Sequence, residues 1–190
     1  METITFPLVD EPLALDLVNT RPSTPTGTVD LLATSGGLEA WLTVQAHRLP
    51  NAPNRITPAD LADVLALREH ITTAIDEARR GQRPPGPALQ ALTQAEASAP
   101  RWRELAWVDG TVTAAPRRHG SAGQRLLADL ACAATELLID PRVTTVRQCE
   151  GAGCRLLFLP VHPRRRWCSP ELCGNRTRVA RYYQRHNKQA

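Results

Sequence analysis

The sequence predicts an α+β chain. A helix-rich N-terminal domain with a small β-sheet or hairpin is followed by a small C-terminal module built around cysteines. Three observations predict this. Several stretches of residues 1–146 place apolar side chains at helical spacing behind capping residues. One stretch alternates β-forming residues around Asp109-Gly110. Four of the five cysteines fall in two matched pairs beyond residue 147.

Taken in order, Thr3 to Val9 alternates Ile4, Phe6 and Leu8 with other residues and reads as a short edge strand, because Pro7 cannot donate to a ladder. Leu13 to Thr20 reads as a short helix that places Asp16, Asn19 and Thr20 on one face. Arg21 to Thr28 is a loop by composition. Leu38, Trp41, Leu42, Gln45 and Leu49 mark a helix opened by Ser35. Thr57-Pro-Ala-Asp60 supplies a capping hydroxyl, a first-turn proline and a first-turn acid. The helix behind it carries Leu61, Val64, Leu65, Arg68, Ile71, Ile75 and Ala78 on one stripe, and Gly81 closes it. Arg83 to Pro87 is a stiff linker, and Ala88 to Ala97 a further helix. Arg101 to Thr113 is a hairpin turning at Asp109-Gly110. Ser121-Ala-Gly-Gln124 is a capping box for a helix that Asp140-Pro141 ends.

The 190 residues are 42% hydrophobic, enough for a real core, which excludes a wholly disordered chain. No stretch has the roughly 20 apolar residues that span a bilayer, so no membrane partner is expected. The opening residues lack a basic stretch followed by an apolar one, which points to a reducing cytoplasm. The net charge of +4 hides an asymmetry. Residues 147–190 carry ten cations against two acids, a balance of +8, and residues 1–146 carry 13 cations against 17 acids, −4. Lys188 is the only lysine, but a bias toward arginine does not explain the loss of acids from the same segment. A basic tail on an acidic body points to a polyanion partner.

Cys149 and Cys154, then Cys168 and Cys173, each have four residues between them, with 13 residues between the pairs. Two short-range pairs present four thiolates tetrahedrally to zinc with little backbone strain. The alternative, two disulfides, is disfavoured in a reducing compartment. Four sulfurs close the shell, so the expected cofactor is one structural Zn²⁺ rather than a catalytic one. The intervening His162 is not needed as a ligand. The expected architecture is treble-clef-like: a knuckle at Cys149–Cys154, a hairpin with arms at 155–160 and 165–168, and a helix capped by Ser169 that continues to Lys188. Arg178, Arg181 and Arg185 share one stripe of that helix, and Arg164, Arg165 and Arg166 lie near the hairpin turn. Arginine forks grip phosphates and guanine edges. A solvated helix end, or docking on the acidic body, are the other readings. Residues 1–142 and 143–190 are the expected domains.

Nothing in the body is a catalytic motif: it holds no glycine-rich phosphate loop and no nucleophile elbow. His47, His70 and His119 are isolated, and Cys132 reads as a small helix residue. No enzyme is expected.

Cys173-Gly-Asn-Arg176, after Cys149, Cys154 and Trp167-Cys168, resembles the CGNR zinc finger. The body, chiefly through Leu13 to Thr20, resembles the ABATE domain that precedes this finger in bacterial proteins described as stress-induced transcription regulators. The resemblance implies a DNA-binding regulator, with an N-terminal domain that senses a stress or a small-molecule effector. It implies that the four cysteines bind zinc. It brings Asn175 and Arg176 forward, with Lys188 and the arginines above, as DNA contacts, although Asn175 and Arg176 would equally serve to hold the finger together. Asp16, Asn19 and Thr20 would line an effector site or form structural hydrogen bonds. An RNA-binding or protein-interaction adaptor is the alternative function, since Tyr182 and Tyr183 could stack on bases. Oligomeric state is not legible.

Overall fold

Local capping chemistry sets where the helices begin. The computed structural model of the chain describes residues 6, 7, 10–24, 27–175, 178 and 179. Helix α1 (Leu13–Val18) is short, and its Leu15, Asp16 and Leu17 are buried. A two-residue strand pair, β1 (Ser23–Thr24) and β2 (Gly27–Thr28), forms within the segment expected to be loop. Helix α2 (Ser35–Val44) is capped by Thr34, whose hydroxyl accepts the Gly37 N–H, so the cap lies one residue before the expected Ser35. Helix α3 (Pro58–Ala78) opens on the Thr57–Asp60 capping box and buries Val64, Leu67, Arg68, Ile71, Ala74 and Ile75. Helix α4 (Gly86–Ser98) begins inside the proline-rich linker, which is correspondingly shorter than expected; Pro87 tolerates a first-turn position. Strands β3 (Arg101–Val108) and β4 (Thr111–Arg118) form the hairpin, turning through positive φ at Asp109 (48°) and Gly110 (83°). Helix α5 (Ala122–Ile139) opens on the Ser121–Gln124 capping box and ends at Asp140.

The body core is helical. Ile71 and Ile75 of α3, Leu126, Leu130, Ala134 and Leu137 of α5, Leu15 and Leu17 of α1 and Trp41 of α2 form one apolar cluster. The hairpin stands outside it, with almost every strand residue exposed. The Thr3–Val9 strand falls mostly outside the described residues; Phe6 and Pro7 are not in a strand. After a 3-10 turn at Pro141–Thr145, strand β5 (Arg147–Gln148) pairs antiparallel with β6 (Leu157–Phe158). The hairpin of the module therefore spans the knuckle, and residues 165–168 form no strand arm, because Cys149 and Leu156 close the ladder around the knuckle instead (N–H to carbonyl, 2.9 Å). Ser169 caps a wide helical turn, Pro170–Gly174, by accepting the Leu172 N–H; Asn175, Arg178 and Val179 beyond it are helical, and the rest of the helix expected to reach Lys188 lies outside the described residues. No helix among the described residues is long and apolar enough to cross a membrane.

Two buried polar groups organise the body. Arg68, 1% exposed, donates to Asp30 and to the Thr20 hydroxyl at 2.8 Å each, and the Thr20 hydroxyl donates to the Leu17 carbonyl at 2.6 Å. That pairing and the Leu32 N–H outweigh the burial of Asp30 and hold its carboxyl at about 2. Asp16 is buried against Arg48, Gln45 and the Glu11 N–H. Burial raises its carboxyl to about 6, and Arg48 only partly offsets this. A group whose pKa is raised on folding stabilises fully below its unfolded pKa, near 4, and loses that contribution as pH rises through about 6. Asp16→Asn should therefore remove a pH dependence. Denaturant melts should show the wild type losing about 2 kcal/mol relative to Asp16→Asn between pH 4 and pH 7. Parallel profiles would contradict this account of Asp16.

Candidate metal centre

The knuckle folds because Gly151 leaves room for sulfur. A Cβ at Gly151 would lie 2.8 Å from Cys173 Sγ and 3.4 Å from Cys149 Sγ, so a side chain there would displace the ligands. The Sγ atoms of Cys149, Cys154, Cys168 and Cys173 all lie within 4.8 Å of one another. A tetrahedral zinc with bonds of about 2.3 Å sets its sulfurs roughly 3.8 Å apart, so the spacing fits. Cys149, Cys168 and Cys173 are buried and Cys154 half-buried. The Gly151 N–H (3.4 Å) and the Cys168 N–H (3.2 Å) donate to Cys149 Sγ, which disperses thiolate charge. His162 stands apart and exposed, its Nδ1 accepting the Arg164 N–H.

The thiols cannot all ionise unaided. A hydrogen bond from Cys168 holds Cys154 down at about 5. The same contact pushes Cys168 far up, and burial pushes Cys173 up to about 11. One thiolate forms readily and opposes the others, so a divalent cation is what the donor set lacks. The four cysteines form one structural zinc site, closed to water and substrate.

Leu156 and Phe158 of the module pack with the cysteines, while Leu157 between them packs into the body core. Strand alternation thus makes β6 a wall shared by two cores. Its backbone is shared too. The Asn19 side-chain amide donates to the Leu157 carbonyl and accepts the Leu157 N–H, both at 2.8 Å. Glu11 accepts the Leu159 N–H (2.9 Å) and pairs with Arg165 (2.6 Å). Asn19 and Glu11 occupy the place of a missing strand on the outer side of β6. Arg165 completes the joint: it donates to the Trp167 and Cys168 carbonyls and lies 4.4 Å over the Phe158 ring.

The family models match this organisation. Residues 11–141 match ABATE, described as "Putative stress-induced transcription regulator", and residues 145–186 match the CGNR zinc finger. The chain belongs to the ABATE family. No curated protein matches it. Within this ABATE–CGNR chain, Asp16, Asn19 and Thr20 are buried and bonded to protein groups, Asn19 to the finger itself. Among the basic residues singled out in the sequence, Arg164 and Arg178 are exposed, Arg166 pairs with Glu150, and Arg165 is engaged at the joint. Asn175 is exposed at the end of the wide turn. Arg176, Arg181, Arg185, Lys188, Tyr182 and Tyr183 lie outside the described residues. Sequence reasoning missed Glu11 and Arg48. Arg48 donates to Gln45 (2.7 Å) and to the Glu11 carbonyl (2.6 Å), so it braces Glu11, one of the two joint residues. No local pattern announces partners so far apart in the chain.

The joint is testable through Asn19. Asn19→Leu would leave a buried N–H and C=O of Leu157 without partners, a loss of about 2–4 kcal/mol. Denaturant unfolding of the zinc-loaded chain should show that loss. A change below about 0.5 kcal/mol would mean the joint contributes little.

Proposed function

We propose that this ABATE–CGNR protein is a DNA-binding transcription regulator whose body controls the presentation of the finger. The observation that carries the reading is the basic balance of +8 over residues 147–190, in a module closed by zinc. Arg164 and Arg178 are exposed and suited to phosphates, and Arg166 can exchange Glu150 for a phosphate. Asn175, Arg176, Arg181, Arg185 and Lys188 complete the proposed contact set. Arg165 serves the joint instead, since its guanidinium already has Glu11 and two carbonyls. We place the domain division near residue 142, with β6 on the finger side.

Stress or effector responsiveness would enter beside the joint. A groove of about 960 Å³ is bordered by Pro12, Leu13 and Arg48 on one side, Leu159 on another and α5 on a third. A small molecule seated there would touch Arg48 and the chain next to Glu11, and so shift the finger. No catalytic role is proposed. The reading places the protein with DNA in the cytoplasm.

The salt dependence of duplex binding by the full zinc-loaded chain tests this. If about five cations meet phosphates, log affinity should fall against log salt with a slope of about −4 to −5. Arg164→Ala and Arg178→Ala should each reduce that slope by about 1. A flat salt profile, or stronger binding to single-stranded RNA in competition, would favour the adaptor reading.

A further inference from the structure

The groove beside the joint carries the opposite charge to the body around it. Six arginines line it against three acids, Asp129, Glu136 and Asp140, in a body whose balance is −4. Its floor is one stripe of α5, on which Arg125, Asp129, Cys132, Glu136 and Asp140 recur at intervals of three and four residues. At 1.5 Å per residue that stripe runs about 22 Å. A volume of about 960 Å³ is that of a large small-molecule site. The positive charge is not spread evenly. Arg142 is matched by Asp140 and Arg117 by Glu104, each at 2.6 Å, and Arg48 is held by Asp16, Gln45 and the Glu11 carbonyl. At the base of the β3–β4 hairpin, however, two guanidiniums share one carboxylate oxygen. Asp129 Oδ1 takes Arg101 at 2.9 Å and Arg118 at 3.0 Å, and one carboxylate cancels only one of the two charges. Arg101 gives no other hydrogen bond among the described residues. Arg125, one turn before Asp129, makes no ion pair among them and gives one bond, to the Gly120 carbonyl at 2.8 Å.

We infer that the groove binds a small amphipathic organic anion, with its acid group on Arg101 and Arg125 and its apolar body on the leucines of the same walls. The two guanidiniums leave N–H groups unspent, in the planar fork that suits a carboxylate, sulfonate or phosphate. A cleft with low-dielectric walls concentrates their field. Leu13, Leu49, Leu137 and Leu159 supply the apolar lining. Glu136, nearly two turns beyond Asp129, is met by the Cys132 thiol at 3.6 Å and leaves the Arg125 end free of further acids on the stripe. A cationic or purely apolar occupant would leave the unmatched arginines without a counter-charge. The link to the finger is short, because Leu159 and Arg48 both line the groove and both bond to Glu11. The inference rests on the effector reading above and deepens it by naming the chemical class of the effector. Its test uses no DNA, so a failed duplex titration and a failed groove are separate results.

Dye binding to the full zinc-loaded chain tests it. The anion is 8-anilinonaphthalene-1-sulfonate, and N-phenyl-1-naphthylamine is the same apolar body without the charge. The sulfonate should bind roughly tenfold tighter than the uncharged amine. Cys132 reports where it binds: zinc holds the other four cysteines, which leaves Cys132 as the thiol open to iodoacetamide. Saturating sulfonate should slow alkylation of Cys132, read by peptide mass, severalfold. Arg125→Gln should weaken sulfonate binding roughly tenfold and leave the amine unchanged. Arg55→Gln makes the same charge change at an exposed arginine outside the groove and should alter neither. Circular dichroism and zinc content check that both variants fold. Unchanged alkylation of Cys132 under saturating sulfonate, equal affinity for the uncharged amine, or wild-type sulfonate binding by Arg125→Gln would overturn the inference.

Discussion

Four sulfurs held within 4.8 Å of one another demand a cation, and the finger is organised around that demand. Without metal the first thiolate, at Cys154, works against ionisation of Cys168. With zinc the same crowding becomes a closed tetrahedral shell. Gly151 leaves the space the sulfurs need, two N–H groups soften the charge on Cys149, and Leu156 and Phe158 wall the cluster from water. The module is too small to hold these elements together by its own apolar core.

The finger is nonetheless more than a metal-held appendage. Strand β6 faces two cores at once, with Leu157 in the body and its neighbours Leu156 and Phe158 in the finger. Asn19 and Glu11 take its outer backbone groups, and Arg165 ties the same corner to the chain at Trp167 and Cys168. Arg48 links Glu11, Gln45 and Asp16 into a buried polar group that backs the joint. A change in the body near Arg48 therefore has a short route to the zinc module. That is the arrangement a regulated finger needs, and it ties the acidic body to the basic tail.

Much of this was legible before the structure, where the chemistry is local. The Thr57–Asp60 and Ser121–Gln124 caps, the Asp109-Gly110 turn and the cysteine pairs each depend on residues a few positions apart. The misreadings follow the opposite rule. A two-residue strand such as β5 or β6 has no periodicity to detect, so the finger's hairpin was expected between the wrong segments. The face shared by Asp16, Asn19 and Thr20 was visible, but the partner of Asn19 lies 138 residues away. Nothing local marks Glu11 or Arg48. The sequence hairpin ended at Thr113, whereas β4 runs on through Pro116 to Arg118, because a proline is tolerated on a free edge.

The central claim is that zinc, held by these four thiolates, is what makes the C-terminal module a folded partner for the body. Metal analysis of the purified full chain tests it most directly. The account predicts one zinc per chain in the wild type and its loss in both Cys149→Ser and Cys173→Ser. A full complement of zinc in both variants, or a wild type that carries none yet keeps its folded finger, would contradict it.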